Sequence, residues 1–234
     1  MFRVVMRVMW GLLTYLHLNS FRTSDCSCIW IVDGGPSLPV IPDCPMPSLV
    51  LAVDRGFDHA KALNLSVDLV IGDLDSIDEV ALRQSSTKPL IESLPTDKDA
   101  SDLEHALRFA SILQPKRIEI LSGGNGRLDH LIISSLLIAN SDYLDLPITA
   151  HVAASKLFTV SPGEMRTINE PLGNLVSIIT IGVDLRCATK GLRWNLTDDT
   201  PVRPGSSRGL SNEIIGDASI QVSRGSAIVI VTAA

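Results

Sequence analysis

Aromatic side chains are scarce in this chain, 4% of 234 residues, although 45% of residues are hydrophobic. A core of that make-up is aliphatic. No run of Lys or Arg is present and the formal net charge is −6. That excludes nucleic acid as the main partner, because affinity for a phosphate backbone needs clustered cations. It does not exclude a nucleotide substrate, since a metal ion supplies positive charge locally. Cysteine is limited to Cys26, Cys28, Cys44 and Cys187. Cys26-Ser27-Cys28 is too closely spaced for a C-x-x-C site, and no His stands at zinc-finger spacing. Free thiols in a reducing, cytoplasmic compartment are expected.

No apolar run is long enough to span a bilayer. The longest near the start, the uncharged stretch Val8 to Phe21 behind Arg3 and Arg7, has 14 residues. It resembles a signal-peptide core, but no clean small-x-small cleavage site follows. Residues 1–28 read as an N-terminal extension of unclear role, with no membrane partner. A G-x-x-x-x-G-K-[ST] loop is also lacking, as is a Rossmann fingerprint in the right place.

From Ile29 the chain becomes regular. Apolar runs predict strands at Ile29–Val32, Ser48–Val53, Val67–Ile71, Leu90–Leu94, Arg117–Leu121 and Ile148–Val152. Helical spacing falls at Asp58–Leu63, Ile77–Gln84, the stretch after Ser101, and Leu128–Ala139. Ser101-Asp102-Leu103-Glu104 fits a capping box. The proline-rich stretch after Pro36 reads as loop. Alternating strands and helices predict an α/β domain over 29–152, its mostly parallel sheet flanked by helices. Past residue 153 the helical spacing disappears. Short β-like runs recur at Leu157–Val160, Leu175–Ile181, Gly191–Leu196, Ala218–Val222 and Ala227–Thr232. These predict a small all-β sandwich or barrel over 153–234.

Ligands of a parallel sheet sit beyond the carboxyl ends of its strands. Acidic or glycine-rich clusters follow several of the predicted strands: Asp54-Arg55-Gly56, Gly72-Asp73-Leu74-Asp75-Ser76, Asp97-Lys98-Asp99 with Asp102, and Gly123-Gly124-Asn125-Gly126-Arg127. In extended backbone Asp73 and Asp75 share a face, about 7 Å apart at Cα. Both carboxylates then reach one divalent ion, and Asp97 and Asp99 repeat the spacing. Magnesium suits such donors, being held by one or two carboxylates plus substrate phosphates. Glycines let a backbone approach closely, a helix start offers amide groups to an anion, and Arg127 forks onto phosphate oxygens. Asp102 and Glu104 also suit simple helix capping. Trp194 reads either as a platform for a flat heterocycle or as packing in the β-domain. His130 reads as a base or as a structural residue.

In chain order, Asp54-x-Gly56, Gly72-Asp73-Leu74-Asp75-Ser76, Asp97-x-Asp99-x-x-Asp102, Gly123-Gly124-x-Gly126-Arg127-x-Asp129-His130, Gly191-Leu192-x-Trp194-x-Leu196 and Ser211-Asn212 resemble the thiamine pyrophosphokinase family. The resemblance covers residues 29–234. It implies an α/β ATP- and metal-binding catalytic domain, a β-sandwich thiamine-binding domain, and a homodimer whose active sites lie at the subunit interface. It implies transfer of the pyrophosphoryl group of ATP to the thiamine hydroxyl, with Mg2+. Asp73, Asp75 and Asp99 would hold magnesium and triphosphate. Asp54, Gly56, Asp97, Asp102, Gly123, Gly124, Gly126 and Arg127 would line the ATP site. Asp129 would act at the reacting centre, with Asp129 or Asp99 accepting the proton. Trp194, Ser211 and Asn212 would border thiamine. Two positions depart from the family pattern, Arg55 in the first motif and Ser134 after Asp129-His130. A magnesium-dependent phosphate-ester hydrolase and a non-catalytic thiamine or nucleotide sensor are the competing readings.

Overall fold

A computed structural model describes residues 21, 26–73, 88–95, 97, 99–143 and 146–234. The chain forms two compact units, Met1–Leu131 and Ile132–Ala234.

The first unit is built on five parallel strands: β1 (Cys28–Val32), β2 (Leu49–Val53), β3 (Leu69–Gly72), β4 (Leu90–Ser93) and β5 (Arg117–Ser122). Their order in space is β4-β3-β2-β1-β5. The chain thus steps outward from β1 to β4 and then returns to the other side of β1. Every residue of β1, β2 and β3 is buried, as continuous apolar runs require in a sheet covered on both faces. Helix α1 (Gly56–Ala62) follows β2 and helix α2 (Asp102–Ile112) follows β4. Leu103, Ala106, Leu107 and Ala110 of α2 face inward, at the spacing seen in the sequence. Phe109 meets Phe21 edge-to-face, with ring centroids 6.0 Å apart. The rest of the expected extension before Cys26, and the expected helix at Ile77–Gln84, lie outside the described residues.

Only half of the expected capping box forms. Ser101 Oγ accepts the Glu104 amide at 3.2 Å. The Glu104 carboxylate pairs instead with Arg108, one turn along α2, where an i,i+4 pair supports the helix.

Helix α3 (Leu128–Leu137) starts after β5 and continues into the second unit. That unit is antiparallel: β6 (Ile148–Val152), β7 (Ser155–Val160), β8 (Met165–Ile168), β9 (Leu175–Leu192) and β10 (Asn212–Thr232). Strand β10 lies along β9, and its other side pairs with β8 at Ala218–Gln221 and with β7 at Ala227–Thr232. Val176 pairs with both Asn212 and Val231, so the sheet curls back on itself. Its core is aliphatic, with Val160, Leu185, Ile220, Ala227 and Val229 fully buried.

The run Leu157–Val160 lies in β7 as expected, while the later runs belong to two long strands. Runs Ala218–Val222 and Ala227–Thr232 both belong to β10, and the register between β9 and β10 shifts between Val222 and Ser226. The gap between the two runs, residues 223–226, is a bulged bend within one strand, not a turn. Of the run Gly191–Leu196 only Gly191 and Leu192 are strand: β9 ends there and the chain turns.

Candidate active site

Because the first sheet is parallel, all five strand exits share one edge. After β1 comes Asp33-Gly34-Gly35, after β2 Asp54-Arg55-Gly56, after β3 Asp73, after β4 the stretch to Asp102, and after β5 the loop Gly123–Arg127. The chain reverses direction between β1 and β5, the place where such sheets open a ligand crevice. Strand β3 is three strands from β5, about 14 Å at ~4.8 Å per strand. That span suits an extended nucleotide better than a single phosphate.

Asp54 occupies the left-handed region with φ of 47°, a conformation that Asp tolerates. Its amide donates to Ile71 O at 3.0 Å. A methyl group built on Gly72 would lie 1.7 Å from Asp54 Oδ1. The Asp54 carboxylate therefore rests directly on the Gly72 backbone, one residue before Asp73. Gly72 O in turn accepts the Leu94 amide at 2.8 Å, which starts the β4 exit beside it. Asp97 and Asp99 are exposed and sit in bends past the end of β4, so the strand alternation expected for them does not apply. Asp75 lies outside the described residues. Asp102 opens α2 and is half-buried. Gly56 is buried at the start of α1, where a methyl would lie 2.0 Å from Val32 O. Only glycine lets α1 sit this close to β1.

The donors on this edge are hard carboxylate oxygens, which fit magnesium. The Gly72 cradle keeps one of them, on Asp54, next to Asp73.

At the β5 exit, a methyl on Gly123 would lie 1.9 Å from Ser37 O. Asn125 Nδ2 donates to Ser37 Oγ at 2.8 Å. Gly124 is half-buried and Gly126 exposed. Arg127 forks onto Asp129, Nη2 to Oδ2 at 2.6 Å and Nε to Oδ1 at 3.1 Å. Asp129 Oδ1 also accepts the His130 amide at 3.0 Å. The Arg127 bond holds the exposed Asp129 carboxyl down to about 2.

One residue of this edge received no role from the sequence. The Asp33 carboxylate accepts the Gly34 amide at 2.9 Å and the Ser122 hydroxyl at 3.0 Å. Burial pushes its pKa up, against the opposing Ser122 and Gly34 bonds. Asp33-Gly34-Gly35 ends an apolar run just as the other clusters do, and that shared pattern was the signal.

In the second unit Trp194 is 63% exposed, so it is no core residue. The Arg193 guanidinium lies 5.8 Å from its ring centroid. Arg193 Nη2 pairs with Glu213 at 2.7 Å, and the Arg193 amide donates to Glu213 O at 2.9 Å. Asn212, 3% exposed, accepts the Trp194 amide and donates to the Trp194 carbonyl. Ser211 is exposed in the left-handed region, with φ of 53°. Its amide donates to Ser177 Oγ at 3.1 Å. Asn195 Oδ1 accepts the Leu192 amide at 3.2 Å. The turn after β9 is thus fixed from both sides and presents one indole ring to solvent. The Arg193–Glu213 pair was not legible in the sequence.

Two models of one family match the chain in order. The catalytic domain of thiamin pyrophosphokinase matches residues 46–149, and the vitamin B1 binding domain of the same family matches residues 164–229. The thiamine pyrophosphokinase of Bacillus subtilis (strain 168) is 27% identical over 191 residues, covering 79% of this chain and 88% of the relative. The crystal structure of thiamine pyrophosphokinase from Bacillus subtilis superposes with a TM-score of 0.77 at 25% identity, over 88% of this chain and 98% of that one. The thiamin pyrophosphokinase from Geobacillus thermodenitrificans gives 0.73 at 26% identity, over the same shares. With both family domains matched in sequence order, this chain belongs to the thiamine pyrophosphokinase family.

Proposed function

We propose that this chain transfers the β,γ-pyrophosphoryl group of ATP to the hydroxyl of thiamine, giving thiamine diphosphate and AMP. The observation that carries the reading is the common edge of the parallel sheet, where Asp54, Asp73 and the loop from Gly123 to Arg127 all follow strand ends. The family membership supports the choice of substrates.

The chemistry is an in-line displacement. The thiamine hydroxyl oxygen attacks the β-phosphorus, the bond from that phosphorus to the oxygen of the α-phosphate breaks, and AMP leaves. Such a reaction needs positioning and charge neutralisation more than covalent help. Asp73, Asp75 and Asp99 would hold Mg2+, which supplies neutralising charge when bound. Amides of the Gly123–Gly126 loop would hold phosphate oxygens. A guanidinium has five N–H donors, and the fork to Asp129 uses two of those on Arg127. The rest remain for phosphate, on an arginine already oriented. Asp129, with a pKa of about 2, is a weak proton acceptor at neutral pH, so its role is to aim Arg127. Asp99 is the better candidate to accept the hydroxyl proton. The open indole of Trp194 would lie against a heterocycle of thiamine, on the face not covered by Arg193.

We read the protein as a cytoplasmic homodimer. Leu128, Ile132, Ile133 and Leu136 of α3 are all exposed, more apolar surface on one helix than a monomer usually leaves open. Sedimentation equilibrium tests the dimer. Among the described residues, no helix is long and apolar enough to cross a membrane.

Incubation with ATP, Mg2+ and thiamine tests the activity. AMP and thiamine diphosphate appearing in equal amounts supports it. Phosphate released without thiamine would mean a hydrolase, and tight binding without turnover would mean a sensor.

A further inference from the structure

Two glycine-rich exits meet where the sheet reverses direction. The chain reads Asp33-Gly34-Gly35-Pro36-Ser37 after β1 and Gly123-Gly124-Asn125-Gly126 after β5. Asp33 joins them. Its Oδ1 takes the Gly34 amide at 2.9 Å on its own loop, and its Oδ2 takes the hydroxyl of Ser122, the last residue of β5, at 3.0 Å. Its backbone is fixed as well: the Asp33 amide donates to Leu121 O at 2.9 Å, and His59 Nδ1 lies 3.1 Å from Asp33 O. Farther out, Ser37 O packs against Gly123 and Ser37 Oγ takes the Asn125 amide. The half-buried carboxyl is matched oxygen by oxygen to donors, one on its own loop and one at the end of β5. Asp33 also lies ahead of the stretch matched by the catalytic-domain model, which begins at residue 46.

We propose that Asp33 is a positioning residue for the nucleotide. By holding the Gly34 amide and the Ser122 hydroxyl on one carboxylate, it fixes the Gly123–Gly126 loop across the switch point and so sets the affinity for the polyphosphate of ATP. The inference rests on reading that loop as the ATP site.

Steady-state rates of the full chain test it, with MgATP varied at saturating thiamine and then the reverse. Asp33→Ala removes both bonds and raises KM for MgATP about tenfold, while KM for thiamine stays within about twofold. Asp33→Asn restores KM for MgATP to within about threefold, because its oxygen still accepts the Gly34 amide and its NH2 donates to Ser122 Oγ. Ser122→Ala gives an intermediate rise, and adding it to Asp33→Ala changes nothing further, as for two residues acting through one contact. The proposal is overturned if both KM values rise together, if Asp33→Asn is as impaired as Asp33→Ala, or if KM for MgATP does not move. Where Asp33→Ala fails to fold, Ser122→Ala and Asp33→Asn carry the same comparison. Arg127→Ala separates this inference from the reading beneath it. If Arg127→Ala leaves KM for MgATP unchanged, both fall. If it raises KM and Asp33→Ala does not, only the role of Asp33 falls.

Discussion

The side-chain amide of Asn212 grips the backbone of Trp194 from both ends: Oδ1 accepts the Trp194 amide at 3.0 Å, and Nδ2 donates to the Trp194 carbonyl at 2.6 Å. Asn212 is buried while Trp194 is exposed, so one residue anchors the turn and the other displays a ring. Replacing Asn212 by Ala strands two backbone groups of the turn. The expected cost is about 1–3 kcal/mol of stability, with a higher KM for thiamine and little change in KM for ATP. Chemical denaturation and steady-state kinetics read the two effects. Asp at 212 keeps the acceptor and loses the donor, so it falls between.

Trp194 itself is dispensable for the fold. Because it is 63% exposed, Trp194→Ala shifts the denaturation midpoint little, by under about 1 kcal/mol. It raises KM for thiamine about tenfold if the ring stacks on the substrate. An unchanged KM would remove Trp194 from the thiamine site.

Gly72→Ala tests the contact between β3 and Asp54. Its methyl would fall 1.7 Å from Asp54 Oδ1, so the carboxylate has to leave. Overpacking of this kind costs about 1–3 kcal/mol, and activity drops with it. A variant with normal stability and normal rate would show that the close approach is not needed.

The fork between Arg127 and Asp129 sets a pH expectation. Asp129 titrates at about 2, below its ordinary value near ~3.9. A carboxyl lowered in the fold contributes stability above its unfolded pKa and loses it as pH falls through the folded one. For Asp129 that window lies between about 4 and about 2, so it stays ionised throughout the neutral range. Asp129→Asn therefore lowers kcat/KM without moving the acid limb of the pH–rate profile above pH ~4. A limb that shifts in this variant would make Asp129 the titrating base after all.

The parallel half of the fold was legible because its signals are local. Strands β1, β2 and β3 are buried on both faces and read as unbroken apolar runs. Once the strands are parallel, chain order alone puts the residues after each strand on one edge. The antiparallel half was less legible. Gly182, in the middle of β9, and Gly225, in the middle of β10, have positive φ, and such residues read as turns in a sequence although here they bend continuous strands. The long-range pairs were invisible because their partners are distant along the chain. Asp33 and Ser122 are 89 positions apart, and nothing near either residue announces the other. Asn212 and Trp194 are separated by 18. In such cases the sequence marks the residue types, and only folding pairs them.

The most direct test of the whole account is Asp73→Asn, assayed for AMP and thiamine diphosphate with ATP, Mg2+ and thiamine, beside its thermal unfolding. Asn keeps the size of the side chain and removes the anionic ligand. The predicted result is an unfolding midpoint close to that of the parent and turnover lowered by a factor on the order of 1000. Near-normal turnover in a folded Asp73→Asn protein would contradict a metal-held polyphosphate at this edge.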